Sequence, residues 1–144
     1  MKEQNYSNHR RFVMLYHVIT FAMIMLMVIS SAYYAINAAG QGASMKLWLF
    51  FLIISLSLMF VFFFARSFAL KAQDRAIRAE ENFRHFILTG KPLNNRLTIR
   101  QIVGLRFASD EEFVELAKNA AEKGISEEDI KKSIKNWRAD NYRV

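Results

Sequence analysis

Residues 62–89 read FFFARSFALKAQDRAIRAEENFRHFILT and carry an apolar, membrane-spanning pattern into a charged helical one with neither Pro nor Gly between. With no breaker across such a change of composition, the stretch predicts one helix passing through two surroundings. Along it Phe62, Ala65, Ala69, Ala72, Ala76, Ala79, Phe83 and Phe86 recur at alternating steps of three and four, the a/d repeat of a coiled-coil seam. Its alanines would let a second backbone come close. Between them Arg66, Lys71, Asp74, Arg75, Arg78, Glu80, Glu81 and Arg84 make the other faces charged, so these must meet water, phosphate or carboxylate.

The two sides of this stretch differ sharply. Residues 12–64 hold Lys46 as their single Lys, Arg, Asp or Glu, whereas residues 65–144 hold sixteen Lys/Arg and twelve Asp/Glu. Residues 12–36, FVMLYHVITFAMIMLMVISSAYYAI, exceed the roughly 30 Å hydrocarbon thickness at about 1.5 Å rise per residue. An export signal would also begin with a basic pair such as Arg10–Arg11, but its apolar part is about 7–15 residues and ends at a small-residue cleavage site. An uncleaved first span is therefore expected. Residues 37–46, NAAGQGASMK, contain Gly40 and Gly42 as breakers and form a short external loop, so residues 47–64, LWLFFLIISLSLMFVFFF, return as an antiparallel second span.

Tyr33, Tyr34 and Trp48 suit one interface. His17 is read as an interfacial imidazole bonded to backbone or headgroup, and Ser55 and Ser57 as bonded within the helices. Lys and Arg flank the spans at Lys2, Arg10 and Arg11 and again at Arg66, Lys71, Arg75, Arg78 and Arg84, against Lys46 alone in the loop. By the positive-inside rule both termini are cytoplasmic.

Beyond the spans, residues 65–90 form a stalk helix closed by Thr89-Gly90-Lys91-Pro92. Asp74–Arg78 and Glu80–Arg84 are spaced for i, i+4 pairing. Residues 91–144 then read as a module of three helices, near 99–107, 110–123 and 127–139, with no strand pattern. Thr98 with Gln101 and Ser109 with Glu112 match a capping box, and Ser126 with Asp129 a weaker one. Leu97 with Ile102, and Ile125 with Ile130, match its hydrophobic staple, while Gly124 is placed as a C-terminal stop. The apolar faces are short for an independent core, so the module is expected to fold back on the Ala/Phe seam, with Phe83 and Phe86 in its core.

The fold expected is thus an all-α membrane protein: N-terminal segment 1–11, span 12–36, loop 37–46, span 47–64, stalk 65–90 and small helical cytoplasmic module 91–144.

Chemistry is sparse. With no Cys there is neither a disulfide nor a thiolate site. His9, His17 and His85 are dispersed, and His85 with Glu81 reads as a helix-surface contact. Asp110-Glu111-Glu112 and Glu127-Glu128-Asp129 fall in first helical turns, where negative charge meets the helix dipole. No phosphate-cradling Gly-rich loop or nucleophile set is present, so no catalytic residue, metal site or cofactor is assigned and a non-enzymatic role is expected.

The net charge of +7 is unevenly spread, with +6 in residues 65–106 and −2 in residues 107–144. Arg66, Lys71, Arg75, Arg78 and Arg84 are candidate contacts to anionic lipid or phosphate, continued by Lys91, Arg96, Arg100 and Arg106. The same stripe, residues 66–106, fits as an alternative the phosphates of RNA or a ribosome at the membrane. Ala65, Ala69, Ala72, Ala76, Ala79, Phe83 and Phe86 are the candidate packing seam, for a protein partner, for a second copy or for the chain's own module. The function expected is an anchored accessory or scaffold subunit of a membrane assembly, with no small-molecule substrate identified.

The stretches FALKAQDRAIRAEENFRHFILTGKPL (68–93), LTIRQIVGLRFASDEEF (97–113) and KNWRADNYRV (135–144), with the opening KEQNYSNHRR (2–11), resemble an uncharacterised family of small bacterial two-span membrane proteins, classed as a domain of unknown function. The resemblance implies a multi-pass protein of the bacterial cytoplasmic membrane, without assigned activity or catalytic residues.

Overall fold

The structure is a computed structural model that describes residues 4–9 and 12–140; Arg10 and Arg11 of the basic flank and the last four residues lie outside the described residues. A π-helical turn at Leu15–Thr20 leads into α1 (Phe21–Asn37), and α2 (Ala43–Thr89), α3 (Ile99–Leu105), α4 (Asp110–Lys123) and α5 (Glu127–Ser133) follow. Among the described residues there is no strand beyond an isolated bridge between Ala108 and Trp137. Residues 62–89 lie unbroken inside the 47 residues of α2. Two compact units result: Phe12–Phe68, and the residues before Phe12 together with those from Ala69 onward.

Within Phe12–Phe68, α1 and the first part of α2 meet through small and aromatic side chains. Ser31 and Ser55 are buried, their Oγ atoms 3.4 Å apart, and each hydroxyl also donates to its own helix, at Met27 O (2.6 Å) and Leu52 O (2.9 Å). Small residues at a contact let backbones approach, and hydroxyls turned back on the helix leave no orphaned polar atom. Tyr16 stacks on Phe62 with ring centroids 4.3 Å apart and donates its hydroxyl to Phe62 O at 2.8 Å; Tyr34 stacks on Trp48 at 4.5 Å. The π-helical turn has its own bond, Thr20 Oγ1 to Leu15 O five residues back. Both α2 and the Leu15–Asn37 helix are long and apolar enough to cross a membrane. Their large side chains stay exposed, Leu26, Ile53 and Phe60 each above 60%.

In the other unit the core is Ile77, Leu93, Leu97, Ile102, Leu105, Phe107, Ala108, Phe113, Ala117, Ala120, Ile130 and Ile134. The first capping box forms as spaced: Thr98 Oγ1 accepts from Gln101 N (3.3 Å) and Gln101 Oε1 from Thr98 N (2.8 Å). Buried Gln101 also donates its Nε2 to Ala120 O (3.2 Å) and Ile125 O (2.8 Å), so one side chain ties the start of α3 to the end of α4. Leu97 and Ile102 are both buried, as the staple requires. Gly124 ends α4 at φ 64°, its N–H donating to Ala120 O.

Two local expectations are corrected. Glu112 does not close a box on Ser109; its carboxylate accepts from Lys135 N (3.0 Å), Asn136 N (3.1 Å) and Asn136 Nδ2 (3.0 Å). For the same reason α5 stops at Ser133 instead of running to 139. Backbone N–H groups that a helix would spend inward are taken by Glu112, Ser109 N donates to Asn136 O, and Arg138 N donates to Phe107 O at 2.7 Å. Residues 134–138 thus bend back against 107–109, joined by the isolated bridge between Ala108 and Trp137.

Gly104 marks the closest approach of α3 to α5. A Cβ there would lie 3.1 Å from Glu127 O and 3.4 Å from Ile130 Cγ2. Gly104→Ala is expected to destabilise this unit by about 1–3 kcal/mol, measured by urea unfolding of the detergent-solubilised chain with Trp137 fluorescence in a Trp48→Phe background. In the same assay Gln101→Glu, which keeps the capping acceptor but turns a carboxylate toward two carbonyls, is expected to cost about 1–3 kcal/mol and to recover as the pH falls and the new carboxyl protonates.

Candidate functional site

From Ala69 to Thr89, α2 presents two unlike faces. One is covered by the downstream helices and carries buried Ile77 and Glu81 and nearly buried Arg84. The Arg84 guanidinium donates to Glu81 Oε2 (3.0 Å), Asp110 Oδ1 (2.7 Å) and Ala108 O (2.8 Å), and lies over the Phe113 ring at 4.3 Å. A planar fork has the shape to satisfy two carboxylates and a carbonyl while stacking on an aromatic face. Arg138 adds a longer contact to Glu81 at 4.0 Å.

Arg84 is therefore not a contact to lipid or phosphate. It pairs with Glu81 and Asp110 and not with Glu80, because the incoming N-terminus of α4 brings Asp110 to it. Arg106 leaves the basic stripe similarly: it is buried, bonded to Asp140 (3.2 Å) and 4.6 Å from the Phe107 ring. Burial lowers its pKa from the usual guanidinium value, opposed by Asp140 and Glu127. Arg66 lies 5.6 Å over the Tyr16 ring. Lys71, Arg75 and Arg78 are exposed. Arg75 and Arg78, with Ala79, Asn82, Leu93 and Asn94, line an open cleft of about 490 Å³.

The other face is the seam. Ala72, Ala76 and Ala79 are exposed and Ala69 half-buried, while Phe83 is 65% and Phe86 53% exposed. The module does not fold on it: the face it covers is Ile77, Glu81 and Arg84, and Phe83 and Phe86 stand outside its core. His85 makes no Glu81 contact; its Nδ1 lies 2.7 Å from Lys91 O and its ring meets Phe113 edge-on. Among the described residues no group of three or more His, Cys, Asp or Glu could hold a metal ion.

A further contact set had no sequence signal. Residues 4–9 lie on the module: Tyr6 donates to Glu128 at 2.6 Å, Gln4 accepts from Asp140 N at 2.7 Å, and His9 meets the Phe107 and Trp137 rings, each at 5.8 Å. Glu128 also holds Lys132 at 3.2 Å, raising the lysine's pKa through that bond and charge. Isolated polar residues at an N-terminus carry no periodicity from which docking could be read.

These features define a class: an all-helical protein in which one long helix belongs to an apolar helix pair and to a small charged module. Residues 1–144 match the family of unknown function DUF6526, and the chain belongs to that family. No curated protein and no solved structure is significantly similar to it.

Arg84→Ala is expected to lower the stability of the module by about 3–5 kcal/mol, since Glu81 would keep a buried charge with no more than the long Arg138 contact to offset it. Glu81→Gln combined with Arg84→Met is expected to cost less than the sum of the single changes; urea titrations of the four proteins measure both.

Proposed function

We propose that the protein is a non-enzymatic integral membrane protein of the bacterial cytoplasmic membrane, a two-span hairpin that anchors a basic helical cytoplasmic module and serves as an accessory or scaffold subunit of a membrane assembly. The observation carrying this reading is the uncovered apolar girth of Phe12–Phe68. Only Ile24, Ser31, Ala35, Ala38 and Ser55 are buried there, whereas a core helix of a water-soluble protein hides such residues. Lipid is the solvent that tolerates them.

The N-terminal contacts agree with a hairpin. Gln4 and Tyr6 touch Asp140 and Glu128, so residues on either side of the two apolar helices belong together, as an even number of crossings allows. Arg66, Lys71 and Arg78 then serve anionic headgroups, each charge near the surface worth about 1 kcal/mol. The alternative, a membrane-tethered RNA- or ribosome-binding protein, draws on the cleft lined by Arg75, Arg78 and Asn94. It requires RNA binding by the detergent-solubilised chain that weakens steeply with salt, and no binding at low salt would remove it.

The chain is expected to remain in the membrane pellet through alkaline carbonate extraction, with reporters fused at residue 1 and after Val144 both reading cytoplasmic. Release into the supernatant, or opposite readings at the two ends, would overturn the hairpin.

A further inference from the structure

We propose that α2 pairs through its exposed seam with a second copy of this chain, as a parallel, in-register two-stranded coiled coil centred on residues 69–87. With Ala69, Ala76 and Phe83 at a and Ala72, Ala79 and Phe86 at d, the covered residues Ile77, Glu81 and Arg84 fall at b and f. The module therefore lies on the b and f side, and Ala76 and Ala79, at the rims of clefts shared with it, stay exposed. What remains on the seam side is apolar and unpartnered: Phe83 65%, Phe86 53% and Ile87, at an e position, 66% exposed.

Charge selects the occupant and its sense. The register puts Arg75 at g and Glu80 at e, the two positions that meet between chains, g of one helix to the following e of the other, in a parallel coiled coil. Both are exposed. Five residues apart on one helix, they face different directions and cannot satisfy each other within the chain. A second copy supplies the missing partner twice over, Arg75 to Glu80 and Glu80 to Arg75. An antiparallel pair sets e against e and g against g, and no register of that kind brings Arg75 to Glu80. The parallel sense rests on the membrane hairpin proposed above, which gives every copy the same orientation and confines it beside its neighbours. That confinement raises the effective concentration enough for about two and a half heptads to suffice.

The absence of Cys makes the test direct. Single substitutions Ala72→Cys, Ala76→Cys and Ala79→Cys on the seam, with Lys71→Cys and Arg78→Cys off it, are introduced in the full-length chain. They are oxidised in isolated membranes and the dimer yield is read on a non-reducing gel. Disulfide dimers are expected at the three seam positions, on the order of tenfold above the two flanking ones, following the a/d period. In the Ala79→Cys background Arg75→Glu is expected to lower the dimer yield about fivefold, and Arg75→Glu with Glu80→Arg to restore it, because only the double change rebuilds an attractive g–e pair. Equal yields on and off the seam, or no dimer in a chain that stays in alkaline-extracted membranes, would overturn the pairing while leaving the anchor intact. Seam-periodic dimers in a chain recovered as soluble protein would support the pairing and remove the membrane reading alone.

Discussion

The contact on which the C-terminal unit depends is the seating of Arg84 between Glu81 and Asp110, with Phe113 beneath its guanidinium. It joins three separate parts of the chain: the long helix, the first turn of α4, and, through Ala108 O, the corner that follows α3. A buried cation held this way tolerates little displacement, because its Nη2 serves both Ala108 O and Asp110 Oδ1 and the ion is costly to expose to an apolar surround without its acceptors. The same three contacts decide which face of α2 is covered. Ile77 and Glu81 are drawn under the module, and the Ala/Phe repeat is turned away from it.

The local parts of this arrangement were legible in the sequence because their physics is local. The Thr98–Gln101 box, the Leu97–Ile102 staple, the Gly124 stop and the unbroken course of α2 each rest on residues within five of one another. What escaped was the destination of long polar side chains. Glu112 has the spacing of a capping residue for Ser109, yet its carboxylate closes the ends of Lys135 and Asn136; a capping pattern states that an acceptor is near a helix start and does not state which N–H wins. Arg84 had the spacing to pair with Glu80, and the tertiary approach of Asp110 gave it a better site. The basic stripe loses Arg84 and Arg106 for this reason: a row of cations in sequence does not reveal which ones a neighbouring helix will consume.

The N-terminal segment shows a different limit. Tyr6, His9 and Gln4 find partners at Glu128, Phe107, Trp137 and Asp140, at separations in sequence that no periodic pattern encodes. Their contacts nevertheless place them in the same compact unit as the module.

The covered face of α2 is not the one that burial alone would select. Covering Phe83 and Phe86 would remove two large apolar side chains from water, each worth about 1.5–3 kcal/mol, whereas a buried ion pair in their place does little better than offset its own desolvation. A short module with few apolar residues gains by using every one available, so a face that leaves both phenylalanines and Ile87 in solvent is unfavourable for the isolated chain. The arrangement becomes favourable when the seam is buried by something else. The ion-paired face then supplies specificity, keeping the module from competing for the seam, and the apolar face is left for association. With the two surfaces on different sides of one helix, the second copy proposed for the seam has no need to displace the module.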